Sequence, residues 1–263
     1  MIPFGIPTLI ETKSVAELAA LCGELGFSFV ELNTNFPQHQ LHRLNPEELN
    51  HLSKRYGIGY TIHLNDEMPV ADFNPTVARG YREAVLEAVS FAKRIGATVL
   101  NMHLSEGARY TMPQETVYFN QAYREDYLAG IAAFRDACTA AAGGSGVCIC
   151  MENTRPWQDV QKEALALLLE SPVFGLTLDI GHSHCGGYAD EPWLLAHSSR
   201  LRHMHIHDAK NSTQDHLPLG TGSLDIPGYL DLAQRCGCTA VLEVKTAAGL
   251  YCSAAWLKDA GYR

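Results

Sequence analysis

The chain has 263 residues, of which 46% are hydrophobic and 19% charged, and its formal net charge is −9. This composition is typical of a globular protein with a sizeable core, and the acidic balance disfavours loose binding to nucleic acid or to anionic membranes. No apolar run is long enough to cross a bilayer, and no basic leader with an apolar segment opens the sequence, so we expect a cytoplasmic protein that does not bind membranes. The eight cysteines include no CxxC pair, which disfavours a cysteine zinc site.

Strand-like and helix-like segments alternate along the whole sequence. Ser14 and Glu17 have the spacing of a capping box at the start of the first helix, and Pro46 fits the first turn of the second. Buried strands are predicted at 4–8, 27–32, 59–64, 98–103, 147–152, 174–179, 201–207 and 240–244. Helices are predicted at 15–25, 46–56, 75–95, 114–142, 158–170, 190–199 and 226–236, with a weaker one after the last strand.

Strands that alternate with helices predict parallel βαβ units, and eight such units are the number that closes a TIM barrel. A chain of 263 residues is ordinary for one barrel of this kind. The glycine-rich break at 143–146 is too short to link two domains, and no other stretch has the composition of a linker. We therefore predict an α/β fold with a single (β/α)8 TIM barrel domain over residues 1–263.

Metal-binding side chains end several of the predicted strands. In a TIM barrel the carboxyl ends of the strands share one face, where groups from different strands converge. The fifth to eighth strands end at or beside Glu152, Asp179, His205 and Glu243. We expect these four residues to bind a divalent cation together, because a set of carboxylate and imidazole ligands suits Zn, Mn, Co or Fe(II).

Other histidines leave alternatives open. His203 and His207 share one face of their strand with His205, since side chains alternate with a period of two, and any of the three could be the ligand. His63 and His103 end the third and fourth strands, where a single histidine is more often an ordinary polar residue of the barrel rim. Candidate substrate-binding residues follow the strands: Arg155 and Lys210 for an anionic or polyol substrate, and Trp157 to stack on a sugar or else to cover a helix end.

Five motifs carry a resemblance to a known family. They are Met-Glu-Asn-Thr at 151–154, Leu-Asp-Ile-Gly-His at 178–182, Met-His-Ile-His-Asp-Ala-Lys at 204–210, His-Leu-Pro-Leu-Gly-Thr-Gly at 216–222 and Leu-Glu-Val at 242–244. In order and spacing the chain resembles the xylose isomerase-like TIM barrel superfamily from its first strand to its eighth. That superfamily includes sugar and sugar-phosphate isomerases and epimerases, inosose dehydratases and the endonuclease IV enzymes of AP endonuclease family 2.

Resemblance to the epimerase branch implies a specific site. Glu152, Asp179, His205 and Glu243 would hold one divalent metal, and Glu152 and Glu243 would act as acid and base on opposite faces of the substrate. His182 would contact a substrate oxygen, and His216 is a further candidate for substrate binding. The substrate would be a small carbohydrate that reacts by proton transfer through an enediolate. Dimers or tetramers would be consistent with the family.

The endonuclease IV branch implies additional zinc ions. His63 and His103 would bind a second zinc, and His182 and His216 a third, together with an aspartate two residues before His216. Here that position is Gln214, which weakens the expectation of a third metal. An acidic loop that contains Asp66, Glu67 and Asp72 and the lack of a basic stretch also disfavour a nucleic acid partner. We favour the isomerase or epimerase, with a zinc-dependent phosphodiesterase or AP endonuclease as the alternative and a metal-dependent dehydratase of a cyclic polyol as the third.

Overall fold

Eight parallel strands form a closed barrel in the computed structural model, which describes residues 1–263. Each strand pairs with the next barrel strand along the chain, and the last pairs with the first. The α/β barrel prediction is therefore confirmed. The barrel strands are β1 (Phe4–Pro7), β2 (Phe29–Asn33), β3 (Gly59–His63), β4 (Val99–His103), β7 (Cys148–Glu152), β8 (Phe174–Asp179), β9 (Leu201–Ile206) and β10 (Thr239–Leu242).

Helices connect the strands on the outside of the barrel. They are α1 (Val15–Glu24), α2 (Pro46–Tyr56), α3 (Pro75–Ile95), α4 (Phe119–Ala122), α5 (Arg124–Ala142), α6 (Asp159–Leu168), α7 (Ile180–Cys185), α8 (Glu191–Ala196), α9 (Ile226–Cys236) and α10 (Ala247–Asp259). Ser14 caps α1 by accepting a hydrogen bond from the backbone N–H of Glu17, as its spacing predicts. None of the helices combines the length and the hydropathy that crossing a bilayer requires.

The segment after β4 corrects one expectation. The helix predicted from residue 114 begins later, because Thr116–Tyr118 (β6) pairs antiparallel with Arg109–Thr111 (β5) as a small hairpin. The β-branched and aromatic side chains of β6 favour an extended conformation, and this local preference was missed. The hairpin matters for function because it lies on the face of the barrel where the strands end.

The interior of the barrel is unusually polar. Leu32, Ile62, Leu100 and Met204 belong to the apolar core and are fully buried. The residues that alternate with such positions are polar, although TIM barrels usually fill this space with branched apolar side chains. These buried polar residues are Glu31, Thr61, Asn101, Thr177, His203 and His205. A polar interior needs internal partners, and those partners organise the site described next.

Candidate metal centre

Four potential metal ligands converge at the carboxyl ends of four neighbouring strands. Glu152 ends β7, Asp179 ends β8, His205 lies one residue before the end of β9, and Glu243 directly follows β10. One donor atom from each residue lies within 4.8 Å of the donor atoms of the others, and all four residues are buried. Nδ1 of His205 lies 3.3 Å from carboxylate oxygens of both Glu152 and Glu243 and 3.6 Å from Asp179. We call these four residues the His205 group.

The two ring nitrogens of His205 have different surroundings. Nε2 lies 3.0 Å from Oε1 of Glu31, a buried carboxylate on β2. Both ring nitrogens are buried and neither makes a hydrogen bond, but Nδ1 is the one that faces the three carboxylates. A histidine ligand commonly directs its second nitrogen at a carboxylate, which fixes the orientation of the ring. Glu31 is therefore placed to orient the His205 ring. The sequence did not reveal this role, because Glu31 is one polar residue between apolar neighbours in β2.

His203 on β9 and His207 just after it have other hydrogen-bond partners. His203 lies 3.1 Å from Glu31 through Nε2 and 2.6 Å from the hydroxyl of Thr239 through Nδ1. His207 accepts a hydrogen bond at Nδ1 from the backbone N–H of His216 and lies 3.0 Å from Asp179 through Nε2. Each of these rings has both nitrogens engaged. Of the three histidines that the sequence left open, His205 is the one that presents a nitrogen to all three carboxylates, since His207 contacts Asp179 alone.

Two small sequence features hold Asp179 in place. Asn153 accepts a hydrogen bond from the backbone N–H of Asp179 and donates one to its carbonyl, which fixes the end of β8 against β7. Gly181 lets His207 approach, because a Cβ on Gly181 would lie 1.9 Å from an atom of the His207 ring. Asp179 also caps α7 by accepting from the backbone N–H of His182. These contacts explain why asparagine and glycine flank the ligand-type residues in the motifs.

The charges of the His205 group are strongly coupled. Burial alone raises the pKa of Glu152, but His205 and His103 outweigh it and hold that pKa well below its usual range. Burial likewise opposes ionisation of Glu243, and His205 and Lys245 lower its pKa well below the usual range. For His205, burial lowers the pKa, but the facing carboxylates raise it well above its ordinary value. The buried carboxylates therefore depend on positive charge at their centre, which the His205 side chain provides when protonated and which a bound divalent cation would also provide.

A second cluster adjoins the first. His63, Asp66 and His103 also have donor atoms within 4.8 Å of one another, and we call them the His63 group. Nδ1 of His63 lies 2.7 Å from the carbonyl oxygen of Leu64, which leaves Nε2 facing Glu152 at 3.5 Å. Nε2 of His103 lies 3.1 Å from the same carboxylate. The structure thus brings together the pair that the sequence marked for a second metal, with Asp66 as an additional donor and Glu152 shared by both groups.

The residues marked for a third metal are arranged less favourably. Nδ1 of His182 lies 3.3 Å from Glu152, and Nε2 of His216 lies 3.5 Å from Glu243. Nδ1 of His216 is directed at Asp215, 2.9 Å away. Gln214 is exposed and accepts a hydrogen bond from Asn211, so it does not supply a ligand. His182 and His216 instead border the open space above the His205 group.

A cavity of about 570 Å³ opens above these groups. Only one of its 17 lining residues, Leu104, is hydrophobic. Arg109, Arg155 and Lys245 place cationic side chains in its wall, and Nζ of Lys245 lies 2.6 Å from Glu243. Arg109 and Lys245 were not foreseen, although Lys245 stands two residues after a predicted ligand. A polar cavity of this size is suited to a small molecule with many hydroxyl groups.

Two of the predicted substrate-binding residues do not line this cavity. Trp157 is buried and packs edge-to-face on Trp193, with ring centroids 5.6 Å apart. Lys210 is exposed in the loop after β9, where its backbone N–H donates to the carbonyl of Gln214. Trp157 thus has the alternative role that the sequence allowed, in packing rather than in stacking on a sugar. Of the predicted set, Arg155, His182 and His216 do line the cavity.

Comparison with known proteins assigns the family. The sequence pattern of the xylose isomerase-like TIM barrel family matches residues 19–260. The chain belongs to this family. The resemblance carried by the five motifs is thereby confirmed. A search of curated protein sequences found no match.

Solved structures with the same fold include several sugar-modifying enzymes. A D-tagatose 3-epimerase-like protein has a TM-score of 0.80 at 22% identity, with 98% of this chain and 96% of that chain covered. The 3-keto-D-glucoside 4-epimerase from E. coli has a TM-score of 0.77 at 15% identity, over 98% of this chain and 100% of that chain. An IOLI protein with a bound zinc atom has a TM-score of 0.72 at 16% identity, over 98% and 97%. At these identities the similarity shows the shared fold.

Proposed function

We propose that this protein is a divalent-metal-dependent isomerase or epimerase of a sugar or sugar phosphate. The observation that carries the proposal is the His205 group, in which Nδ1 of a histidine oriented by Glu31 meets three buried carboxylates at the ends of neighbouring strands. An unpartnered buried nitrogen and an unpartnered oxygen of Glu243 at this point fit a cation bound by three oxygens and one nitrogen. That ligand set suits zinc, manganese or cobalt.

Glu152 and Glu243 would transfer the protons in this reaction. When bound, the cation would polarise a carbonyl and the adjacent hydroxyl of the sugar and so acidify the hydrogen on the intervening carbon. One of the two glutamates would remove that proton, and the other would return a proton to the opposite face. Their remaining oxygens are held in position, by Asn101 and His103 on Glu152 and by Lys245 on Glu243. Fixed carboxylates on two different strands are an economical arrangement for this chemistry.

His182 and the polar wall would bind the rest of the substrate. His182 lines the cavity beside Glu152, which fits a contact between this side chain and a sugar oxygen. Arg155 and Arg109 line the cavity and suit a hydroxyl, a carboxylate or a phosphate group of the substrate. The neighbouring structures, which include a D-tagatose 3-epimerase-like protein and a 3-keto-D-glucoside 4-epimerase, support a carbohydrate substrate. The zinc atom of another neighbour supports the cation.

The test of this proposal is proton exchange at the carbon next to a carbonyl. Protein loaded with manganese, cobalt or zinc is incubated in D2O with a panel of ketoses and keto-sugars, and deuterium incorporation is followed by NMR. We expect incorporation with at least one sugar and a fall of about 10²- to 10⁴-fold in Glu243→Gln, the range that positioned acid–base groups contribute. Glu67→Gln is the matched control, because Glu67 lines the cavity outside both metal-binding groups. Equal rates in both variants would contradict the role of Glu243.

A second candidate is a zinc-dependent phosphodiesterase, which the His63 group favours. A cation bound by His63, Asp66 and His103 would share Glu152 with the first, and two cations can stabilise both oxygens of a phosphodiester displacement. The acidic side chains of Asp66, Glu67 and Glu106 in the cavity wall disfavour a nucleic acid backbone there. Metal analysis separates the two functions. One cation per chain with sugar exchange supports the epimerase, whereas two zincs with cleavage of bis(4-nitrophenyl) phosphate or abasic DNA support the alternative.

A further inference from the structure

Two cysteines lie next to each other near the amino end of β7. Cys148 is the first residue of this strand and Cys150 the third, so both side chains are on the face of the strand that carries Glu152 at its other end. Their sulfur atoms are 3.8 Å apart, and the thiol of Cys150 donates a hydrogen bond to the sulfur of Cys148. Cys150 is fully buried, whereas Cys148 is half-buried. We call these two residues the Cys148 pair.

The pair is reached from the end of the barrel opposite the metal centre. A cavity of about 550 Å³ opens at the amino ends of the strands, and Cys148 lines it together with Thr98, Arg202 and Thr239. Cys148 and Glu152 are four residues apart in an extended strand, which corresponds to about 13 Å. A ligand of the Cys148 pair would therefore enter from this second cavity and would share no residue with the His205 group.

A glycine and positive charge define the surroundings of Cys148. A Cβ on Gly175 of β8 would lie 2.8 Å from the sulfur of Cys148 and 3.1 Å from Cγ of Arg202, so the sulfur and the arginine side chain approach each other across this glycine. The hydrogen bond from Cys150 lowers the pKa of the Cys148 thiol against the opposing effect of burial. Arg202 and Arg200 lower this pKa further. The surroundings thus favour the thiolate, which is the form of cysteine that binds metals.

The number of donors indicates the kind of cation. No cysteine belongs to a group of three or more Cys, His, Asp or Glu residues whose donor atoms lie within 4.8 Å of one another. A structural zinc site needs four ligands, so the Cys148 pair does not have the composition of one. Two thiolates suit a soft cation of low coordination number, as Cu(I) is. Two thiolates and one monovalent cation have a net charge of −1, which the nearby Arg202 is placed to offset.

We propose that the Cys148 pair binds one soft monovalent cation of the Cu(I) type between its two sulfur atoms. The cation would replace the thiol protons of the pair, which would pass to solvent. Rotation of the two side chains can adjust the separation of the sulfurs, because both cysteines are free and neither belongs to a disulfide. The site is independent of the proposed function, since it uses sulfur ligands at the amino end of β7 and the His205 group uses carboxylates and an imidazole at the carboxyl ends of the strands.

Competition with a coloured chelator measures the affinity. The full-length protein, reduced and kept free of oxygen, is titrated into the Cu(I) complex of bicinchoninate, and the loss of absorbance gives the Cu(I) that each chain removes. We expect one Cu(I) per chain and a fall in affinity of more than about 100-fold in Cys148→Ser, because loss of a ligand costs more than the 10- to 100-fold typical of an outer partner. Cys236→Ser is the matched control, since Cys236 is also half-buried and also two positions before a buried cysteine. Removal of no Cu(I), or equal losses in the two variants, would overturn the proposal.

X-ray absorption at the copper edge identifies the ligands in the wild-type protein. We expect two sulfur atoms and no nitrogen in the first coordination shell of the bound copper. A shell that contains nitrogen would place the copper at one of the histidine clusters and refute the site. This measurement needs no variant, so it decides the question even where a cysteine substitution disturbs folding.

Deuterium exchange separates this site from the metal centre. Because Cys148 and Glu152 are at opposite ends of β7, we expect Cys148→Ser to keep the divalent metal content and the exchange rate of the wild-type protein. Loss of exchange in Cys148→Ser without a change in Cu(I) affinity would mean that the cysteine only supports the barrel, and the proposal would be wrong. Absence of exchange with any sugar, while one copper still binds to two sulfurs, would count against the proposed function alone.

Discussion

The two clusters of histidines and carboxylates at the mouth of the barrel differ in how firmly they are held. In the His205 group, the histidine is oriented by Glu31, Asp179 is held by Asn153 and His207, and every member is buried. In the His63 group, the side chain of Asp66 is 58% exposed and lies 3.8 Å from His103. Ligands that are fixed by outer partners bind a cation with less loss of conformational freedom.

The difference predicts that the His205 group binds a cation before the His63 group does. The His205 group is arranged for a cation before one arrives, whereas the His63 group must order an exposed aspartate to bind one. The groups are joined through Glu152, which faces His205 with one oxygen and both His63 and His103 with the other. A cation bound by the His205 group would therefore neutralise part of the negative charge that Glu152 presents to the His63 group.

Glu152→Ala removes the shared carboxylate and should have the largest effect. We expect loss of stoichiometric metal and a fall in deuterium exchange of about 10²- to 10⁴-fold or more, because in the proposed reaction one residue would supply both a ligand and an acid–base group. Metal content by mass spectrometry and exchange by NMR provide the measurements. Glu106→Ala, which removes another carboxylate of the cavity wall, is the control. A variant that keeps both metal and activity would refute the assignment of the whole site.

Glu31→Gln tests the orientation of His205 without touching any ligand. Loss of a carboxylate that orients a histidine ligand typically lowers metal affinity by about 10- to 100-fold, so we expect a loss in that range with the fold retained. A glutamine can still contact His203 and Thr61, which limits the structural damage. Thr239→Val is the matched control, because it removes a partner of His203 only. If both variants lower metal affinity equally, Glu31 has a general role in packing and not a specific one towards His205.

The barrel and its ligand positions could be predicted from sequence because both follow from local patterns. A strand ending on a carboxylate or an imidazole is visible in a few residues, and the barrel topology brings such ends together. Glu31 was not recognised because its importance depends on His205, which is distant in sequence on β9, and on how the strands close into the barrel. The choice among His203, His205 and His207 likewise depends on Thr239 and His216, which belong to other segments.

Side chains in loops were harder to place than those on strands. Tryptophan is suited to stacking on a sugar, but the ring of Trp157 is covered by Trp193 of α8. The sequence pattern did not predict that these two residues are in contact. The sequence predicted a loop and then a helix from residue 114, so the pairing of β5 with β6 was not predicted, nor was the position of Arg109 in the wall of the metal cavity. The positions of such residues are set by tertiary packing, which overrides local propensity. Ligand-type residues at strand ends are therefore easier to predict from the sequence than the loop residues that determine specificity.

His103→Ala should have a smaller effect than either glutamate substitution if one cation serves the reaction. We expect about one metal per chain to remain, with deuterium exchange reduced about 3- to 10-fold, because the histidine supports Glu152 by a single hydrogen bond. His42→Ala is the control, since His42 lies in the loop after β2 and outside both groups. Loss of a second zinc together with loss of phosphodiester cleavage would favour the two-metal function instead.

Lys245→Gln should have the smallest effect of the four. The side chain of Lys245 is 50% exposed and that of Glu243 only 8%, so solvent screens their ion pair from the lysine side, and we expect its loss to cost about 1 kcal/mol. We expect metal affinity to change by less than about fivefold and the rate of exchange to fall by a similar factor, because Glu243 keeps its contact with His205. Arg155→Gln is the control, because it removes another cation of the cavity wall. It separates the contact of Lys245 with Glu243 from a general effect of positive charge in the wall. A loss of metal in Lys245→Gln as large as that in Glu31→Gln would mean that the rim holds the site as firmly as the barrel interior does.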